Sequence, residues 1–156
     1  MWALTIIAFL ILGTLAFRGA RGAYLTFVTL GVLFFPAHVG SHFHPTPCDC
    51  QLSVPLALFS LTNYKHIVLF TIFFLMSSMQ WRDRSLKTQL LIASVAVLAM
   101  GIYVELAEGI TGQGHCRLRD LVPDLAGAVV GAALLVVVRK LRPVAVADTG
   151  QAGRDG

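Results

Sequence analysis

Glu105 and Glu108 stand three residues apart, Asp120 and Asp124 stand four apart, and Arg117 and Arg119 lie between the two pairs. Spacings of three and four put each pair on one face of a helix. Carboxylates gathered near arginines support two readings. As a pocket they bind a polar headgroup, a glycan or a peptide, and burial that raises a carboxyl pKa equips it for general acid or base work. As a clasp they are an ion-pair belt that fixes a loop. Lys65 and His66 are further members of this set. A second group joins His38, His42, His44, Cys48, Cys50, His115 and Cys116. His38 and His42 are four apart and suit one metal ion at a helix end, with the Cys48 and Cys50 thiolates as additional donors. No standard zinc spacing is present. The competing chemistry is oxidation, because thiols outside the cytoplasm form disulfides. Cys48 and Cys50 are too close to pair comfortably, so Cys116 is expected to bond one of them and leave the other free.

These residues punctuate a chain that is otherwise apolar. Of 156 residues, 56% are hydrophobic and 13% charged, about half the charged fraction usual in soluble domains. A hydrocarbon layer of about 30 Å takes about 20 apolar residues per helix. The pattern predicts an all-α, polytopic membrane helix bundle of about five transmembrane helices plus a short interfacial helix. The spans are expected over 1–17, 22–37, 66–81, 88–104 and 121–138. The interfacial or re-entrant piece is 51–61, interrupted by Pro55. No Lys or Arg precedes the first apolar run, so it reads as a retained helix rather than a signal peptide. Residues 1–142 form a single transmembrane domain, and 143–156 read as a disordered cytoplasmic tail. The net charge of +4 is confined to short clusters between apolar blocks, which is topology signalling and excludes a nucleic-acid face.

With five spans, Arg18, Arg21, Arg82, Arg84, Lys87, Arg139, Lys140 and Arg142 fall on one side, against Lys65, Arg117 and Arg119 on the other. The positive-inside rule then puts the N-terminus outside and the C-terminus in the cytoplasm, with a bacterial inner-membrane location. Every His and Cys, together with the four carboxylates above, then falls at the outer end. Counting about 1.5 Å of rise per residue from the basic anchors, Glu105 sits near the outer boundary and Asp124 several Å inside the hydrocarbon. A carboxylate at the centre of a span costs about 2.5–3.5 kcal/mol, and less toward the boundary. Asp124 is therefore expected to face the bundle and take a partner, Lys65, Arg117 or Arg119. Gly127 and Gly131 continue the Asp120–Asp124 stripe and permit close packing of another helix, or of a second copy.

The run Glu105-Leu-Ala-Glu108, then Asp120-Leu-Val-Pro-Asp124-Leu-Ala-Gly127-Ala-Val-Val-Gly131, resembles the VanZ-like membrane proteins, as does Lys65-His66-Ile-Val-Leu-Phe70. The likeness covers roughly 63–135. Glu108 and Asp124 replace the family's usual Gln and Asn, and Gly114 stands where the family carries a loop Arg. The resemblance implies a cell-envelope protein with an outward polar site between the last three spans, linked to resistance to the glycopeptide teicoplanin. The sequence contains no P-loop, dinucleotide fingerprint, nucleophile elbow or His-Glu-x-x-His. No cofactor is expected beyond the metal alternative. The expected partners are the bilayer, an envelope lipid, glycan or peptide, and other membrane subunits. In the last case the chain is a non-catalytic accessory subunit of a larger complex.

Overall fold

The computed structural model describes residues 2–39, 44–112 and 116–141, and the regular elements within them are all helical. Six α-helices follow in order: α1 (Trp2–Phe17), α2 (Arg21–Val39), α3 (Val54–Ser60), α4 (Tyr64–Met79), α5 (Leu86–Thr111) and α6 (Leu121–Leu141), with a 3-10 turn at Leu118–Asp120 before α6. The expected tail 143–156 lies outside the described residues.

Two helices, Leu86–Thr111 and the continuous Leu118–Leu141, are long and apolar enough to cross a membrane. A third crossing arises if α3 and α4, bent by 74° at their junction, count as one broken span. The expected number was about five. The difference lies in length: α1 and α4 have 16 residues each, a rise of about 24 Å against a layer of about 30 Å. The apolar run described for α2, Arg21–Phe34, is shorter still.

Helix boundaries follow from local chemistry. Pro55 does not interrupt α3 but opens it, standing in the first turn where a missing N–H costs nothing. Gly19, at φ 84°, closes α1 with paired bonds from Gly19 N to Ala16 O and Ala20 N to Leu15 O, a left-handed cap that favours glycine. Ser85 caps α5 by accepting the Thr88 N–H at 3.2 Å. The expected fourth span ended at Val104, but α5 runs two turns further, to Gly112 at φ 63°. Its buried stripe explains the extension. Gln89, Ala93, Val97, Gly101, Glu105 and Gly109 recur every four residues and all are buried, so the packed face continues past the two glutamates.

The core is built from Phe70 and Phe74 of α4, Ala93 and Val97 of α5, and Ala128 and Leu135 of α6. The opposite helix faces leave Leu10, Leu25, Leu69, Leu91 and Val129 exposed, a surface suited to hydrocarbon rather than water. The basic clusters meet at one end of the bundle. There the Gly19 turn lies against the Met79 carbonyl, Arg21 donates to Gln80 O and covers Trp81, and Arg139 donates to Arg82 O. Buried Gln80 donates to Ala16 O at 2.7 Å and joins α1 to α4 at the same level.

Candidate functional site

At the other end, α4 and α6 approach closely because Gly127 and Gly131 carry no side chain. A Cβ on Gly127 would stand 2.6 Å from the Ile67 carbonyl oxygen, and one on Gly131 2.8 Å from the Phe74 ring. Thr71 donates to Ile67 O at 2.7 Å and also reaches Gly127 O at 3.0 Å. The glycine stripe is therefore occupied by α4 of the same chain.

One turn beyond that contact, His66 and Asp124 meet. His66 Nδ1 lies 2.8 Å from Asp124 Oδ1, with the Asp124 side chain 2% exposed and that of His66 27% exposed. The second oxygen, Asp124 Oδ2, is buried with no hydrogen-bond partner among the described residues. It rests against Gly101, where a Cβ would stand 2.8 Å from it. The His66 ring is held from below by stacking on Phe70, at 6.2 Å between centroids.

Glu105 is the next buried carboxylate, four residues beyond Gly101 on the same α5 stripe. Its Oε2 accepts the backbone N–H of Arg117 at 2.7 Å. Asp120 lies within electrostatic reach of His66, Glu105 and Asp124. Among the described residues, neither Glu105 nor Asp124 pairs with a Lys or Arg side chain. The expected cation partners of Asp124 are thus corrected. Lys65 is exposed and precedes His66 by about 100° of helix rotation, which turns it off the α6 face. Arg117 contributes its main chain, and Arg119 instead approaches Asp49 at 3.6 Å. Glu108 is half-buried on the adjoining face of α5.

A strap, residues 44–50, lies across this end. Thr46 N donates to Gly109 O, Asp49 N donates to Cys116 O, and Leu118 N donates back to Asp49 O. A disulfide joins Cys48 to Cys116, and Cys50 is free and exposed. Of the two pairings open to Cys116, the structure takes Cys48. Gly109 and Gly112 let the strap sit this close. A Cβ at Gly109 would stand 3.2 Å from the Cys48 sulfur, and one at Gly112 would collide with the His44 carbonyl.

The disulfide takes Cys48 out of the candidate metal donors, because its sulfur is no longer a thiolate. His42 and His115 lie outside the described residues, and so does the side chain of His38. His44 is exposed. Among the described residues, no group of three or more His, Cys, Asp or Glu could hold a metal ion.

Two contributors escaped the sequence reading. Asp49, which anchors Arg119 and the strap, was visible only as the residue between two cysteines. Gly101 was signalled by its place four residues before Glu105 but had no evident partner. No family model, curated protein or solved structure matches the chain.

The chemistry open to this arrangement centres on His66. With Asp124 ionised, the proton sits on Nδ1 and Nε2 presents its lone pair; no described residue bonds Nε2. An aspartate that orients an imidazole in this way prepares it to accept or donate a proton, or to hydrogen-bond a ligand, at the free nitrogen.

Proposed function

We propose that the chain is a VanZ-like, multi-pass protein of the bacterial cytoplasmic membrane that binds or modifies a cell-envelope ligand at its polar end. In this reading the chain crosses five times with its N-terminus outside, and the ligand is met by His66 Nε2, oriented by Asp124. The supporting observation is the pairing of His66 with buried Asp124, with Nε2 unbonded and Asp124 Oδ2 without a partner among the described residues. Intramembrane carboxylates and histidines are rare because they are costly, and where they occur they mark function by default. The clustering of Arg21, Arg82, Arg84 and Arg139 at the opposite end supports the orientation through the positive-inside rule. The link to glycopeptide resistance rests on the VanZ-like motif alone.

The test is expression in a teicoplanin-susceptible host with growth scored across graded teicoplanin. His66→Ala and Asp124→Ala should abolish any protection, while Lys65→Ala should retain it. Protection unchanged in His66→Ala and Asp124→Ala at equal protein abundance refutes the assignment. Labelling of Cys50 by a membrane-impermeant maleimide on intact spheroplasts checks the orientation, and protection of Cys50 until lysis reverses it.

A further inference from the structure

Beside the polar pair, and reached through Phe70, lies a cavity that the proposed site does not use. Helix α2 leans on α4 near the basic end, where Tyr24 and Ser77 hydroxyls are 3.0 Å apart. It leans on α5 nearer the polar end, where Tyr103 donates its hydroxyl to the Val32 carbonyl. Between these two pins α2 stands away from α4, and Gly13 of α1 and Gly31 of α2 leave the gap unfilled. The result is a cavity of about 380 Å³ walled by α1, α2, α4 and α5, with Phe70, Phe73, Met76, Met100 and Val104 among its lining. That volume falls in the range of about 300–1,000 Å³ typical of ligand pockets.

We infer that this cavity holds one hydrocarbon chain of a membrane lipid whose headgroup lies at His66. The inference rests on the proposed function for its headgroup half and on the cavity for its tail. Three observations carry it. The lining is apolar throughout, since the one hydroxyl among it, that of Tyr103, is already bonded to Val32. The cavity is half open, with Phe17, Leu69 and Ile72 of its lining exposed, so a chain can enter from the surrounding hydrocarbon, whereas water entering would find no partners. The cavity also adjoins the polar pair: Phe70 stacks on His66 and lines the cavity, and Val104 lines it one residue before Glu105. From Leu69 to Met76 the lining descends about 10 Å along α4, parallel to the direction in which a lipid chain runs. A polar group at His66 and an alkyl chain beneath it is the geometry of a single amphiphile.

The test uses the purified full chain in nanodiscs of phosphatidylethanolamine and phosphatidylglycerol. The probe is a phosphatidylglycerol bearing a diazirine midway along one acyl chain. After irradiation, adducts are mapped by peptide mass spectrometry. Wild type should be labelled at Met100, Val104 or Phe73 as well as at bilayer-facing Leu10 and Val129. Gly31 has nothing within 4 Å of a Cβ, so Gly31→Phe fills the cavity without a backbone clash. It should lower the cavity adducts about tenfold, ~1.4 kcal/mol of binding, and leave those at Leu10 and Val129 unchanged. If that variant does not fold, Gly13→Leu serves, its Cβ meeting only the Phe27 ring edge at 3.8 Å. Cavity adducts that Gly31→Phe leaves intact, or wild-type adducts confined to Leu10 and Val129, overturn the inference. So does a cross-linked dimer that Gly31→Phe abolishes while cavity adducts are absent, because a second copy then fills the space. His66→Ala separates the two claims. Adducts lost in Gly31→Phe but unchanged in His66→Ala uphold the chain slot and defeat the headgroup contact.

Discussion

Gly127→Ala should loosen the helix contact on which the polar pair is built, and the structure sets the size of the effect. The new methyl would stand 2.6 Å from the Ile67 carbonyl oxygen, 3.0 Å from Phe70 Cβ and 3.0 Å from the Thr71 nitrogen. Ordinary contact begins at 3.4 Å, so α4 and α6 must part by about 0.8 Å at this level. Two of the three obstacles are backbone atoms and cannot rotate aside. Overpacking of this kind costs about 1–3 kcal/mol. The Thr71 bond to Gly127 O, at 3.0 Å, is stretched as well, and side-chain hydrogen bonds between membrane helices average about 0.6 kcal/mol. Against this stands a helix-propensity gain of up to about 1 kcal/mol. The net expectation is a loss of roughly 0.5–2.5 kcal/mol, read from the midpoint of an SDS titration followed by far-ultraviolet circular dichroism. Gly22→Ala is the matched control, because nothing lies within 4 Å of its Cβ; it should be neutral or slightly stabilising. Gly127→Ala unfolding at or above the Gly22→Ala midpoint would refute the close α4–α6 contact.

Thiol counting checks the strap. Maleimide adducts should number one before reduction, at Cys50, and three after it. Reduction should also lower stability, by at most about 4 kcal/mol on chain-entropy grounds for a bridge between residues 68 apart; three adducts without reductant would remove the disulfide. Glu105→Ala should leave the half-buried Arg117 N–H without its acceptor, a loss of about 1 kcal/mol, whereas Glu105→Gln retains an oxygen there. Hydrogen exchange over residues 116–120 should quicken in the alanine variant only, and equal exchange in both variants would mean that the 2.7 Å bond is not made.

The helical class and the polar end were legible because hydropathy and charge placement are local properties of the chain. Span number was less so. An apolar run sets an upper limit on a helix but not where its turns bend, and the 74° bend between α3 and α4 falls inside one such run. The α5 boundary was misplaced for a related reason. Glu105 and Glu108 look like the end of a membrane segment, yet Glu105 continues a four-residue buried repeat that begins at Gln89. A repeat of that kind is readable from sequence once a glutamate is allowed to be a core residue. The stripe through Asp124, Gly127 and Gly131 was readable from spacing alone, but its partner was not. Electrostatic reasoning pointed Asp124 at Lys65, Arg117 or Arg119. The close approach that Gly127 permits brings in His66 instead, and Lys65 is turned away by its place on the same helix.

Whether the polar end is a clasp or a site turns on how its carboxylates are satisfied. Glu105 behaves as part of a clasp: its Oε2 is bonded to the loop it holds, beside a disulfide and a strap bonded to the end of α5 and the loop after it. Asp124 differs. One oxygen meets His66 and the other faces Gly101 with no hydrogen-bond partner among the described residues, at 2% exposure. A buried polar atom without a partner costs about 1–3 kcal/mol, and a membrane interior offers no water to relieve it. An asparagine at 124 would carry less charge in the same space, so the aspartate is the more expensive choice for packing alone. Its cost is intelligible if Asp124 serves to fix the His66 tautomer and leave Nε2 for a ligand, with Phe70 stacked against the ring. Asp124→Asn then discriminates the readings: a clasp is kept or strengthened by it, whereas a site that depends on an oriented imidazole loses activity while the fold is retained.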